Sequence, residues 1–238
     1  MLRRVCVSQV RPGAITVEAA EVHHLLHVLR LTEGTQVEVF DAAGRRACGV
    51  LQTVDGQLSV HVEAVTQTGA AAVCTIASAV PKGSRADWLV EKLSELGVGI
   101  FQPLITARSV VDPGTGKLQR WQRLAEQAAR QSRRAGVMQV RPPLEIPQVL
   151  AQHTGGQGWY LSTAPQASSA ISVLACAAPP TDLLVLIGPE GGWTPEEMAQ
   201  FNAAGLRAVS LGATTLRVET AAIAVAAILA AAAVPGNG

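Results

Sequence analysis

Along the first 68 residues, apolar and polar positions alternate with the period of two that marks half-buried strands. Val5, Val7, Val37, Val39, Val50, Val60 and Val62 sit in such runs, with the turn signals Pro12-Gly13, Ala43-Gly44 and Asp55-Gly56 between them. The period changes once, from Val22 to Leu31, where Val22, Leu25, Leu26, Val28 and Leu29 recur at helical spacing. Gly69 with the alanines 70 to 72 reads as a short linker. Beyond it the pattern becomes strand, loop, helix. Strands are expected over Val73–Val80, Ile100–Leu104, Trp159–Leu161, Leu183–Ile187 and Leu206–Leu211. Helices are expected over Ser84–Leu96, Lys117–Arg134, Pro195–Ala203 and Glu219–Ala233. Thr194 is a good N-cap, with Pro195 in the first turn and Glu197 three residues after the cap. Alternating strands and helices imply an α/β fold whose parallel sheet is covered on both faces. The chain thus divides into a small β-rich domain, 1–68, and an α/β domain, 73–238. No fixed-period repeat is present, which sets a solenoid aside.

Composition supports a folded chain. Hydrophobic residues make up 48% and charged residues 16%, the opposite of a disordered balance. Aromatics are only 3%, so Ala, Val and Leu are expected to fill the core. Cys6, Cys48, Cys74 and Cys176 lie far apart with no CxxC pair, which predicts four buried, reduced thiols and neither zinc nor a disulfide framework. The start Met1-Leu2-Arg3-Arg4 leads into no apolar run of signal-peptide length, so a cytoplasmic protein is expected. The most apolar stretch, Ala221 to Val234, has 14 residues against the roughly 20 that span a bilayer. It reads as a buried helix at a subunit interface. Net charge is +1, too small for bulk attraction to nucleic acid, yet Arg120, Arg123, Arg130, Arg133 and Arg134 fall within 15 residues.

Two segments carry the chemistry. Leu186 to Glu197 reads Leu-Ile-Gly-Pro-Glu-Gly-Gly-Trp-Thr-Pro-Glu-Glu, a strand running into three glycines and a proline before a helix. Ligands in open α/β sheets sit beyond the carboxyl ends of strands, and glycine there lets main chain approach them. The plain alternative is a tight capped turn. Neither GxGxxG nor a Walker lysine is present. Val209 to Ala221 repeats the design: a strand ends at Gly212, a loop follows, and a helix begins near Arg217 and Glu219. Those two charges have a bland reading as a salt bridge capping the last helix.

Gly188-Pro-Glu-Gly-Gly192, Leu211-Gly212 and Leu216-Arg217-Val218-Glu219-Thr220-Ala221 resemble the SPOUT methyltransferases, and more narrowly the bacterial 16S ribosomal RNA (uracil-N3)-methyltransferase family. His23 to Arg30 with Gly34, Lys82-Gly83 with Glu91 to Val98, and Glu126 to Arg134 resemble further motifs of that family, in order over nearly the whole chain. One departure is Ala135 to Met138, where the family has a proline after the arginine pair. The resemblance implies a PUA-like β-barrel before a SPOUT domain with a C-terminal trefoil knot, which strand–helix alternation alone would not suggest. It also implies a homodimer, S-adenosylmethionine (SAM) as methyl donor, and 16S ribosomal RNA or the assembled small subunit as partner, with no membrane.

By the same resemblance, SAM would lie against loops at Leu161 to Thr163, Ile187 to Gly192 and Ser210 to Arg217. The implied contacts are Leu161, Ser162, Ile187, Gly188, Pro189, Glu190, Gly191, Gly192, Ser210, Leu211, Gly212, Leu216, Arg217, Thr220 and Ala221. Main-chain groups would hydrogen-bond adenine, Leu211 and Leu216 would pack on its ring, and a side chain at Gly191 would intrude on it. A uracil imide must lose its proton during attack, so a positive group near its oxygens would stabilise the developing anion. Arg30 and Arg130 are the candidates for that charge, with Glu219 or Glu190 as proton acceptor. RNA-facing candidates are Arg3, His23, His24, Arg30, Lys82, Lys92, Arg108, Arg130, Gln131, Arg133 and Arg134, each with a solvated or packed surface role as the plain alternative. His23 and His27 lie one helical turn apart, but no third ligand is evident, so no metal is expected. Competing readings are a methyltransferase acting on transfer RNA and a non-catalytic RNA-binding assembly factor.

Overall fold

The computed structural model describes residues 2–67, 73–111, 113–134, 136–153, 156–176 and 182–233. The linker expected at Gly69 to Ala72, the boundary at 68, and Ala135 lie outside them. The chain divides into two compact units. The first is Met1–Ala71 with Ala129–Val137, and the second is Ala72–Ala128 with Met138–Gly238.

The first unit contains β1 (Arg3–Cys6), β2 (Gly13–Thr16), α1 (Ala19–His23), β3 (Gln36–Phe40), β4 (Arg45–Val54), β5 (Gln57–Val62) and β6 (Thr66–Gln67). The sheet order is β1-β3-β4-β5-β2, with β6 on β4. β1 and β3 are parallel; the other pairs are antiparallel. Alternation sorts the side chains as expected: along β4, Ala47 and Leu51 are buried while Cys48 and Val50 face outward. Asp55 and Gly56 both have positive φ, 51° and 76°, as a two-residue hairpin between twisted strands requires. Gly49 is needed for close strand approach, because a Cβ there would stand 2.5 Å from Val60 Cγ1 and 2.6 Å from the His61 carbonyl oxygen.

The helix expected over Val22–Leu31 is shorter and wider. α1 ends at His23 and continues as a π-helical turn, His24–Val28, in which Leu29 N donates to His24 O at 2.9 Å. This turn keeps Leu25 in the core and leaves His23, His24 and His27 exposed. Residues 129 to 137, placed by sequence with the second domain, pack in the first unit. Arg4, nearly buried, donates to Ala129 O and Arg134 O at 3.1 Å each, pairs with Glu38 at 3.1 Å and lies 4.1 Å over the Phe40 ring. Phe40, Ala129, Val137 and Cys6 close a small apolar cluster beside it.

The second unit contains β7 (Val73–Ala79), α2 (Ser84–Glu95), β8 (Ile100–Ile105), α3 (Thr115–Ser132, whose last residues belong to the first unit), β9 (Gln139–Val140), β10 (Leu144–Glu145) and α4 (Ile146–Gln152). It continues with β11 (Gln157–Leu161), β12 (Ser168–Ser169), α5 (Ala170–Ala175), β13 (Asp182–Ile187), α6 (Pro195–Ala203), β14 (Arg207–Ser210) and α7 (Val218–Ala232). Its sheet is wholly parallel, in the order β10-β8-β7-β13-β11-β14-β12 with β9 on β8. Along β13, Leu183, Val185 and Ile187 enter one core with Leu89, Phe101, Trp121 and Val225; Leu184 and Leu186 enter another with Val149, Tyr160 and Phe201. Helices therefore cover both faces. After β14, near one edge, the chain returns in α7 to pack on α2, β7 and β13 at the centre of the sheet. This return is where the family resemblance places the knot.

Ala, Val and Leu supply most of the buried core, as expected, and the few aromatics join them: all three phenylalanines, Phe40, Phe101 and Phe201, are buried, as is Trp121. One compositional expectation is corrected. The four thiols are free, but Cys48 and Cys176 are exposed, Cys48 because strand alternation turns it outward.

Candidate cofactor site

Three loops leave the carboxyl ends of three adjacent parallel strands. β11 pairs with β13 through Tyr160↔Leu186 and with β14 through Leu161↔Val209, so the segments after Leu161, Ile187 and Ser210 emerge side by side. Ser162 N donates to Val209 O at 2.9 Å, tying the first of these loops to the third strand. The two glycine-bearing bends, more than 20 residues apart in sequence, therefore share one edge of the sheet.

The Gly188–Gly192 loop is built around Trp193. The indole Nε1–H donates to Leu161 O at 2.9 Å, and the ring meets Phe201 edge-on at 4.8 Å. A Cβ on Gly188 would stand 2.9 Å from the ring, so only glycine fits beneath it. Gly192 has φ +71° and its N–H donates to Pro189 O at 2.8 Å, closing a turn. Thr194 then caps α6 as expected: its side chain accepts from Glu197 N at 3.2 Å, while Glu197 accepts from Thr194 N at 2.8 Å. The exposed Glu196 carboxyl is held below its ordinary value by its own backbone N–H and by the Thr194 hydroxyl.

In the third loop, Ser210 Oγ donates to Gly212 O at 3.1 Å. Leu161, Leu211 and Leu216 are half-buried, whereas Gly191, Gly212 and Arg217 are exposed. Pro189 and Ile187 are buried, Glu190 and Thr220 exposed, and Ala221 half-buried. The loops thus combine apolar flanks with accessible main chain and no buried charge of their own. Such a donor set fits a planar heterocycle held by backbone groups, as SAM's adenine requires. A side chain at Gly191 would not point into free space: the nearest atoms to its Cβ are those of Arg108, the closest at 3.1 Å.

Glu219 does not pair with Arg217. It is 4% exposed in the first turn of α7, and its Oε1 accepts from Arg85 on α2 at 3.3 Å, while Oε2 is buried without a hydrogen bond. Arg217, the N-cap residue of α7, is exposed. Arg30 and Arg130 lie in the first unit. Arg30 is exposed, with φ 54°, and Arg130 is ion-paired with Glu21.

The RNA-facing candidates divide similarly. Arg3, His23, His24, Gln131 and Arg133 are exposed in the first unit; Arg134 is half-buried there, and burial lowers its pKa to about 10. Lys82 is exposed in the second unit, but Lys92 is held by Glu91 and Glu95 at 2.7 and 2.8 Å, which raises its pKa. Arg108 lies against Gly191. Sequence reasoning missed Trp193, Glu197 as a bridge to Ala107, and Arg85. The first was legible as an aromatic directly after two glycines, whereas Arg85 meets a residue 134 positions away. Among the described residues no cluster of His, Cys, Asp or Glu could hold a metal, and no helix is long and apolar enough to cross a membrane.

Fold and loops together define an RNA methyltransferase of the SPOUT class. The family described as RNA methyltransferase domain matches residues 69–230, and the family described as RNA methyltransferase PUA domain matches residues 17–63. Ribosomal RNA small subunit methyltransferase E of Synechocystis is 33% identical over 87% of this chain and 69% of its own length, and that of Mycobacterium bovis 34% identical over 84% and 79%. The crystal structure of the Neisseria gonorrhoeae enzyme of that name, bound to S-adenosylmethionine, superposes with a TM-score of 0.83 at 27% identity over 96% of this chain and 97% of that one. A Legionella pneumophila protein solved with SAM gives 0.82 at 26% identity over 98% of both chains. The chain belongs to the ribosomal RNA small subunit methyltransferase E family.

Proposed function

We propose that this chain transfers the methyl group of SAM to N3 of a specific uridine in 16S ribosomal RNA, as a cytoplasmic homodimer. The observation that carries the reading is the convergence of three main-chain-rich loops at one edge of a parallel sheet, in the fold shared with relatives solved with SAM. Residues 161–163, 187–192 and 210–217 would hold the cofactor, with Leu211 and Leu216 against its ring. SAM supplies an electrophilic methyl on a sulfonium, so the protein's work is placement of the nucleophile.

The chain's own residues have two tasks. A carboxylate must take the N3 proton, and the candidates are Glu219, which has one oxygen without a hydrogen bond, and exposed Glu190. A cation must balance charge on the uracil oxygens, and exposed Arg30 suits this better than Arg130, whose guanidinium already serves Glu21. Exposed Arg3, Arg133, His23 and His24 in the first unit would meet phosphate and sugar.

The homodimer is supported by α7, which carries no charge after Glu219 and leaves Ala227 exposed. Trp88 on α2 and Ile171 on α5, helices packed against α7, are 47% and 68% exposed. Sedimentation should give a dimer mass. Purified protein given labelled SAM and small subunits from a strain lacking the enzyme should label one uridine as its N3-methyl derivative, read by nucleoside mass spectrometry. Labelling of transfer RNA instead would redirect the assignment. SAM binding without incorporation into any cellular RNA would remove it.

A further inference from the structure

We propose that Arg108 is a positioning residue for the methyl donor, a strap that grips the crest of the Gly188–Gly192 loop; this rests on the SAM-binding role given to that loop above. Arg108 follows β8, in a loop whose backbone is fixed. Thr106 N donates to Ser109 Oγ at 3.0 Å, and the two hydroxyls lie 3.0 Å apart. One residue before Arg108, Ala107 N donates to Glu197 Oε1 at 2.9 Å. Glu197 is 6% exposed, and its other oxygen takes Thr194 N, so a single buried carboxylate joins the β8 loop to the start of α6.

From that fixed base the Arg108 side chain reaches Gly191 in two ways. Its Nη1 donates to the Gly191 carbonyl oxygen. Its stem runs beside the α-carbon: Cδ, Cβ and Cγ lie 3.1, 3.4 and 3.8 Å from where a Gly191 Cβ would stand, and they are the three nearest atoms. Gly191 is therefore glycine to admit the arginine stem. Two consecutive glycines have more backbone freedom than any other pair and lose more entropy on ordering. Gripping the carbonyl of the first restricts that freedom before the ligand arrives, which lowers the cost of binding. A guanidinium engaged in this way is a support of the cofactor loop, and the RNA-contact role expected from sequence is replaced.

The test uses the full-length protein and SAM alone, by calorimetry, beside steady-state kinetics and thermal scans. Arg108→Ala should weaken SAM binding about tenfold, as loss of a charge-assisted hydrogen bond does. KM for SAM should rise in step, with kcat and KM for the ribosomal substrate near wild type. Arg108→Lys, which keeps a stem and one donor, should recover part of the affinity. Gly191→Ala should weaken SAM binding in the wild-type background and add nothing in the Arg108→Ala background, because its steric neighbour is gone. Wild-type SAM affinity in Arg108→Ala overturns the inference. So does a loss confined to RNA affinity with a shallower salt dependence, which would return Arg108 to the phosphate-contact role. If the wild-type protein itself gives no heat with SAM, the functional reading falls, and this inference with it.

Discussion

Gly188→Ala tests whether the cofactor loop is shaped by Trp193. The added Cβ would lie 2.9, 3.1 and 3.2 Å from three atoms of the indole. Carbon atoms in good contact stand about 3.5–4.0 Å apart, so the methyl overlaps the ring at all three. The ring has little freedom to yield: its N–H is bonded to Leu161 O at 2.9 Å, and its neighbour Phe201, at 4.8 Å, is itself fully buried. Displacing it sacrifices a hydrogen bond of about 0.5–1.5 kcal/mol, and overpacking of this kind costs about 1–3 kcal/mol in all. At roughly 2–4 °C per kcal/mol for a unit of this size, Tm should fall by about 2–12 °C in differential scanning calorimetry. Gly188 and Leu161, whose carbonyl holds the indole, both belong to loops proposed to hold SAM, so its Kd should rise in parallel. In a Trp193→Ala background the same substitution should cost nothing further. Unchanged Tm and Kd in Gly188→Ala, or an undiminished cost without the indole, would refute this account of the loop.

Three other outcomes follow from the geometry. Arg4→Leu leaves two carbonyls and Glu38 without their guanidinium and should destabilise the first unit by about 3 kcal/mol in urea titrations; a midpoint within error of wild type would show that Arg4 is dispensable. Burial, with Asp182 adding to it, raises the Cys74 thiol from 9.0 to about 12, so native protein at pH 8 should be alkylated at exposed Cys48 and Cys176 and spared at Cys74. The folded state keeps that proton between pH 9 and 12 where the unfolded chain loses it, so the Cys74 contribution to stability is flat below pH 9 and falls as pH rises through that window; Cys74→Ala should flatten the fall. Exposed Arg133 has φ 56°, so Arg133→Gln removes the charge without altering the backbone demand; it should weaken RNA binding, reduce the salt slope by about one, and leave SAM affinity unchanged.

The two halves of the molecule were legible because their periods differ. A period of two in residues 1–68 and strand–helix alternation beyond them are direct consequences of which faces must be buried, and they located nearly every long element to within a few residues. Thr194, Pro195 and Glu197 announced α6 because capping is local chemistry. The short elements β9, β10, α4, β12 and α5 carried no comparable signal: their strands have two residues each and their helices seven or fewer, less than two full turns. The π-helical turn after His23 was hidden as well, since one turn of five residues is too short for its period to be told from that of an α-helix.

By itself the sequence determined the elements, the glycine-rich bends and the family to which they point, all of them properties of neighbouring residues or of motifs in order. Tertiary structure decided the partnerships. Glu219 meets Arg85 across 134 positions instead of Arg217 two residues away, Arg108 donates to the Gly191 carbonyl across 83 positions, and the indole of Trp193 explains Gly188. The first two contacts, and the bond that holds the indole to Leu161 O, share one physical reason. A strand order of β8-β7-β13-β11-β14 brings together chain ends remote in sequence, and the groups that meet there are chosen by that order.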